Sequence, residues 1–334
     1  MTPRVILALL AFAPLPLLGQ ARQPTARPGT ARIAQTDRFA RIDAGGLHTC
    51  WVTTNGAAYC WGINNLGQLG DGNMGIARLS PVAVVGGLVF QAISAGSHTC
   101  GLTTAGAAYC WGYNGDGRLG DGTTDTPLSP VAVAGGLVFR AISAGSGHTC
   151  GLTTRGAAYC WGDGQLGDGT SFGLSTRPVA VAGGLVFQAI SRGGFHTCGL
   201  TTGGAAYCWG LNARGQLGDG TTNTALSPVA VAGGLVFQAI SAGLGYTCGL
   251  TTGGATYCWG LNAAGRLGDG TTINRLSPVA VAGGLVFESI SAGSNHTCGL
   301  TSNVAAYCWG QNADGQLGDG TTTSRSTPAA VVSP

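Results

Sequence analysis

The chain has 334 residues, of which 61 are glycine and only 9% are charged, with 16 arginines, no lysine and 13 acidic residues. An average protein carries about 25% charged residues, so this one faces water mainly with Thr, Ser, Asn, Gly and small apolar side chains. A net charge of +3 without an arginine cluster excludes the electrostatic footprint of a nucleic-acid binder.

At the N-terminus Arg4 precedes an apolar run from Val5 to Leu18, followed by the small-residue site Gly19-Gln20-Ala21. Residues 1–21 therefore read as an export signal. The run is too short for a bilayer span, which needs about 20 residues, and Pro14 and Pro16 interrupt it; no later segment is apolar enough to span either. Residues 22–38, with Pro24, Pro28 and Gly29 and no periodicity, are expected to form a flexible leader. The remainder, 39–334, is one repeat array with no second domain.

The segment His98-Thr99-Cys100-Gly101-Leu102 returns at His148, His196 and His296, with one change at Tyr246, and more altered as His48-Thr49-Cys50-Trp51-Val52. The leading cysteines stand at 50, 100, 150, 198, 248 and 298, a period of 50 with one step of 48. A repeat of this length denotes a solenoid, propeller or array.

Each unit carries one C-x9-C pair: Cys50 and Cys60, Cys100 and Cys110, Cys150 and Cys160, Cys198 and Cys208, Cys248 and Cys258, Cys298 and Cys308. Behind an export signal, an even cysteine count implies a disulfide framework. Folding 100–110 as a hairpin about Ala105 sets Cys100 opposite Cys110 and Leu102 opposite Ala108. Gly106 then takes the left-handed turn position. Opposed cysteines meet the Cβ spacing of about 4 Å that a disulfide needs. The expected pairing is therefore within each unit. On the other face Tyr109 is expected to cover Gly101. Zinc favours closer cysteine pairs with two further ligands, which this spacing fits badly.

Four short strands fit each unit. In the third unit they are Arg140 to Ala144, the two hairpin strands, and Pro178 to Ala182 after a Gly/Asn/Asp/Thr-rich loop. Helical periodicity is absent, and four strands per unit of about 50 residues is the arithmetic of a β-propeller blade. The expected fold is all-β: six blades of four short antiparallel strands. The small Ile-Ser-Ala-Gly strand would be innermost and the Pro-Val-Ala-Val strand outermost, since edge strands tolerate proline. Whether each blade is contiguous in the chain, or the last strand completes the blade that Phe39 begins, stays open.

The run His196-Thr197, Tyr207-Cys208-Trp209-Gly210-Leu211-Asn212, Gly215-Gln216-Leu217-Gly218-Asp219-Gly220 and Pro228-Val229 resembles the regulator of chromosome condensation repeat family, across essentially all of 39–332. The third unit departs, because Trp161-Gly162-Asp163-Gly164-Gln165 lacks the Asn and two neighbours. The resemblance implies a propeller, usually of seven blades, so seven-bladed closure is the alternative to six. It also implies functions from guanine-nucleotide exchange to secreted inhibition of β-lactamase. The cysteine pairs and the signal point to the secreted branch.

The repeated aspartates Asp71, Asp121, Asp168, Asp219, Asp269 and Asp319 sit between glycines, where Asp bonds its own turn. The calcium-loop echo at Asn312-Ala313-Asp314-Gly315 lacks its first and last ligands. The five repeated histidines His48, His98, His148, His196 and His296 read as loop braces or core, and Trp61, Trp111, Trp161, Trp209, Trp259 and Trp309 as blade-to-blade packing. No metal site, cofactor or catalytic cluster is expected, because an active site needs one asymmetric constellation. Variation concentrates in two loops. There Phe195, Leu244, Tyr246, Leu47 and Asn295 are the candidate binding residues, provided the loops share a face. The functional expectation is a non-enzymatic binding scaffold for an extracellular or periplasmic protein, of adhesion or inhibitor type, secreted, periplasmic or on the cell surface. The alternatives are a multivalent lectin holding glycans, and an exchange or regulatory role implied by the resemblance.

Overall fold

The computed structural model describes residues 39–171 and 173–332. The export signal and leader expected at 1–38 lie outside them. Six four-stranded antiparallel sheets follow one another along the chain. Blade 1 is β1 (Phe39–Ala44), β2 (His48–Thr53), β3 (Ala58–Gly62) and β4 (Arg78–Ala83). Blade 2 is β5 (Phe90–Ala95), β6 (Thr99–Thr103), β7 (Ala108–Trp111) and the short β8 (Val131–Ala132). Blade 3 is β9 (Phe139–Ala144), β10 (His148–Thr153), β11 (Ala158–Gly164) and β12 (Gly173–Ala180). Blade 4 is β13 (Phe187–Arg192), β14 (His196–Thr201), β15 (Ala206–Gly210) and β16 (Ala225–Ala230). Blade 5 is β17 (Phe237–Ala242), β18 (Tyr246–Thr251), β19 (Thr256–Gly260) and β20 (Arg275–Ala280). Blade 6 is β21 (Phe287–Ala292), β22 (His296–Thr301), β23 (Ala306–Gly310) and β24 (Arg325–Ala330).

The protein is thus a six-bladed β-propeller with almost no helix, and every blade is contiguous in the chain. The third unit's shortened loop has a structural consequence. Its β11 runs on to Gly164, which pairs with Gly173, so the outer strand starts earlier than the expected Pro178 and ends at Ala180.

The cysteine spacing sets the register of each hairpin. Cys100 faces Cys110, Gly101 faces Tyr109 and Leu102 faces Ala108, and Gly106 closes the turn at a φ of 78°. All six pairs are disulfide-bonded within their own blades, each joining the second strand to the third. Cys50 is bonded to Cys60 in blade 1, Cys100 to Cys110 in blade 2 and Cys150 to Cys160 in blade 3. Cys198 is bonded to Cys208 in blade 4, Cys248 to Cys258 in blade 5 and Cys298 to Cys308 in blade 6. Closing so short a loop stabilises each hairpin by about 2–3 kcal/mol in the chain-entropy model. The ring over Gly101 comes from Phe90 on β5, not from Tyr109: a Cβ at Gly101 would stand 2.5 Å from Phe90 Cδ1. In blade 1 the corresponding position is Trp51, which packs edge-on against Trp61 at 5.3 Å between ring centroids and against Tyr59 at 5.9 Å.

Each blade has two unlike faces. One carries the disulfide with Leu and Ala, and in blades 1 to 5 the next blade covers it with aromatic and aliphatic side chains. Thus Cys100, Leu102, Ala108, Cys110 and Leu119 of blade 2 pack with Phe139, Trp161, Tyr159 and Ile142 of blade 3. Burying an indole such as Trp161, on the order of 200 Å², contributes about 5 kcal/mol at the usual apolar coefficient. The joint admits no side chain at Gly120, whose Cβ would lie 2.5 Å from Trp161 Nε1. Hydrogen bonds reinforce it: the Gly122 N–H donates to Thr176 O at 2.8 Å. His98 Nε2 bonds the Thr149 hydroxyl at 2.6 Å, and that hydroxyl donates its proton to Arg118 O. His98 must therefore be the donor, fixing the neutral Nε2–H tautomer.

Candidate functional site

The loops joining innermost to second strands ring one mouth of the central channel, with Gly45, Ser97, Ser146, Gly194, Leu244 and Asn295 among its lining. The two variable loops of a unit do share this face. The Ile63 N–H donates to Leu47 O at 3.0 Å, Leu211 to Phe195 O at 2.9 Å and Gln311 to Asn295 O at 2.9 Å. Of the candidate binding residues, Phe195 (61% exposed), Leu47 and Leu244 stand in solvent, and Asn295 is half-buried at the same mouth. Leu244 reaches back over Gly194, bringing the loops of blades 4 and 5 together.

Tyr246 does not belong to that patch. It is fully buried at the histidine's place in the fifth unit, its hydroxyl donating to His296 O at 2.7 Å and receiving the Thr297 hydroxyl at 3.0 Å. An aromatic ring at a position otherwise occupied by buried histidine is a joint residue, and burial pushes its hydroxyl pKa up.

The channel, of about 690 Å³, is lined by the innermost strands and is mostly Ser, Ala and Gly. Two departures from Ile-Ser-Ala-Gly make it asymmetric. Asp43 replaces the serine in blade 1, and Arg192 replaces the alanine in blade 4. Asp43 Oδ2 accepts the Ala95 N–H at 2.9 Å, the service Ser94 Oγ performs for Ala144 at 3.0 Å. The Arg192 guanidinium lies across Gly145, donating to Ala144 O at 3.1 Å and to Gly193 O. Its Nε has no partner among the described residues. Burial lowers the Arg192 pKa to about 9 and raises that of Asp43, which hydrogen bonds and Arg192 partly offset. Sequence reasoning passed over both residues, although each was visible as a break in an otherwise constant motif.

The other repeated residues have structural roles. Burial depresses the histidines: His48 to about 4 and His196 to about 3, the latter also pushed down by Arg192, with His98 and His148 well below the ordinary value. Asp71 accepts from Asn64 Nδ2 and the Asn73 N–H, both at 3.1 Å, and pairs with Arg78. The same Asp–Arg pairing recurs at Asp269–Arg275 and Asp319–Arg325, each 2.8 Å. Among the described residues no group of three or more His, Cys, Asp or Glu could hold a metal ion, and no helix is long and apolar enough to cross a membrane.

Blades of this repeat, wrapped round a channel and stapled one by one, define a β-propeller built to present loops. A family model described as the RCC1-like domain matches residues 15–333. The chain belongs to that family. No curated protein matches the sequence. Among solved structures it is similar to human WBSCR16, at 21% identity and a TM-score of 0.81, covering 90% of this chain and 83% of that one. It is also similar to Prp20p of Saccharomyces cerevisiae, a structure described with its binding to Gsp1p and histones. That likeness has 23% identity and a TM-score of 0.79, covering 88% and 77%. A third is the CRINKLY WD40 ectodomain of the Arabidopsis thaliana receptor kinase ACR4, at 20% identity and a TM-score of 0.54, covering 89% and 83%. At these identities the likeness is one of fold.

Proposed function

We propose that this chain is an exported protein-binding propeller, of adhesion or inhibitor type, that takes an extracellular or periplasmic protein on the channel mouth. The fold supports a protein-binding scaffold or regulatory role. The observation that carries the finer reading is the exposure of Phe195, Leu244 and Leu47 on hydrogen-bonded loops of one face, since exposed apolar groups gathered on one face favour a protein contact. Six disulfides support an oxidising compartment, since cytosolic thiols are kept reduced. The test compares the native protein with a Phe195→Ser, Leu244→Ser double variant as paired baits in the native extracellular milieu. A partner held by the first and lost by the second, with unchanged circular dichroism, is the expected result. Identical captured sets would overturn the reading, and saturable binding on a glycan array would replace it with the lectin.

A further inference from the structure

Arg192 is a cation that the sheet does not need. At the last position of the innermost strand the other blades carry Ala44, Ala95, Ala144, Ala242 and Ala292. Arg192 pairs with Thr197 as Ala144 pairs with Thr149 and Ala242 with Thr247, so the strand accepts alanine there equally well. The guanidinium is nonetheless held in one place. It lies over Gly145, where a Cβ would collide with its Cζ, and it donates to Ala144 O at 3.1 Å and to Gly193 O.

What it lacks is a counter-charge. The ion pairs among the described residues use Arg78, Arg118, Arg275 and Arg325, and none uses Arg192. Asp43, the other charged group of the channel lining, turns its Oδ2 to the Ala95 N–H instead. A guanidinium carries five N–H donors; two carbonyls take two of them here, and Nε has no partner among the described residues. Carbonyl oxygens satisfy hydrogen bonds but leave the net charge, which is costly for a group drawn out of water. The charge is felt around it, since it disfavours protonation of His98, His148 and His196. Residues 1–38 hold five arginines and one acid, Asp37, so that part of the sequence is itself cationic.

We infer that Arg192 is the floor of a carboxylate-binding site just inside the channel mouth, filled by an Asp or Glu side chain that the docked protein projects between the mouth loops. That the occupant belongs to a protein rests on the channel-mouth reading proposed for this chain; that it is acidic rests on Arg192. The planar fork of a guanidinium matches a carboxylate in shape as well as charge. Arg192 stands three residues before Phe195, a span of at most about 10 Å, so a single side chain reaches it from the rim and no chain end need thread the channel. Leu244, folded over Gly194, completes an apolar rim beside the cation. The rest of the lining is mostly Ser, Ala and Gly around about 690 Å³, which leaves room for the entering group. The expected recognition element is therefore an acidic residue flanked by apolar ones.

The test titrates the full chain with the blocked peptide acetyl-Leu-Glu-Leu-amide, reading the Arg192 Nε–H resonance by NMR and the affinity by calorimetry. Saturable binding is expected, weaker by about tenfold or more for acetyl-Leu-Gln-Leu-amide. Arg192→Ala, which restores the alanine of the other blades, should abolish it with unchanged circular dichroism, and Arg192→Lys should keep part of it. Phe195→Ser with Leu244→Ser should weaken the Glu peptide by about fivefold and leave acetyl-Glu-amide unaffected. No saturable binding, equal binding of the Glu and Gln peptides, or full affinity in Arg192→Ala would each overturn the proposal. Tighter binding of acetyl-Leu-Leu with a free terminal carboxylate would give the site to chain ends instead of side chains. Binding that appears only in Asp37→Asn would mean that the chain supplies its own carboxylate, and would overturn it as well. A partner captured equally by native protein and Arg192→Ala sinks the acidic site and spares the protein-binding reading; peptide binding without any captured partner does the reverse.

Discussion

The joint between blades 2 and 3 and the two faces that end the propeller occupy equivalent positions of the repeat but differ in what covers them, and on blade 1 also in Trp51, which stands where blade 2 has Gly101. Trp161 is sealed between Gly120 and the Cys100 hairpin, whereas Trp61, at the same repeat position, meets solvent and its own blade's Trp51. The difference teaches that a unit of this repeat cannot complete its own core. Half of each apolar cluster comes from the following blade, as expected of quasi-one-dimensional repeat architectures. Stability here is a property of joints rather than of blades.

That comparison can be broken by substitution at paired positions. Trp161→Ala should cost about 3–5 kcal/mol of stability in urea unfolding, and Trp61→Ala no more than about 1 kcal/mol; equal costs would mean the end face is covered. Next in size, Leu102→Ala should cost about 3 kcal/mol and Leu300→Ala well under half of that, read from the same transitions.

Acid should weaken the joints through their histidines. The folded pKa of His48, about 4, lies below its ordinary 6.5, so the unfolded chain takes up the proton first as pH falls. Stability is then complete above pH 6.5 and lost between 6.5 and 4, on the order of 3 kcal/mol for this group. His98→Ala should remove part of that pH dependence and cost about 1–2 kcal/mol by stranding the Thr149 partner. His296→Ala, at the uncovered end, should change little. A pH profile that is flat from 7 to 4 in guanidinium titrations would contradict the neutral-histidine joint.

What the sequence made legible was local. The C-x9-C spacing, with glycine four residues before the second cysteine in five units and Val304 in that place in the sixth, defines a hairpin register that brings Cys60, Cys110, Cys160, Cys208, Cys258 and Cys308 onto their own units' first cysteines. The constant Ile-Ser-Ala-Gly and Pro-Val-Ala-Val runs define which strand is inner and which outer. The joints were harder to see, because Gly120 and Trp161 act across about 40 residues of chain and nothing in a single unit names its neighbour. Tyr246 misled for that reason: an aromatic residue at a varying position resembles a surface anchor until the histidine it replaces is found buried. The end units do depart from the middle ones, with Trp51 and Val52 in the first and Val304, Ser326 and Ala329 in the last, but these changes read as ordinary divergence until the uncovered faces are seen. The departures at Asp43 and Arg192 were in plain view, yet only the topology brings them to one channel.

The joint is made five times and left open once, and backbone amide exchange reads this directly. The amides of Gly72, Gly122, Gly169, Gly220 and Gly270 donate across sealed joints, and that of Gly320 has no such acceptor among the described residues. Hydrogen exchange on the isolated protein should show the first five protected and Gly320 exchanging as freely as a loop amide. Equal protection at Gly320 would mean that blade 6 is covered in solution as the other blades are.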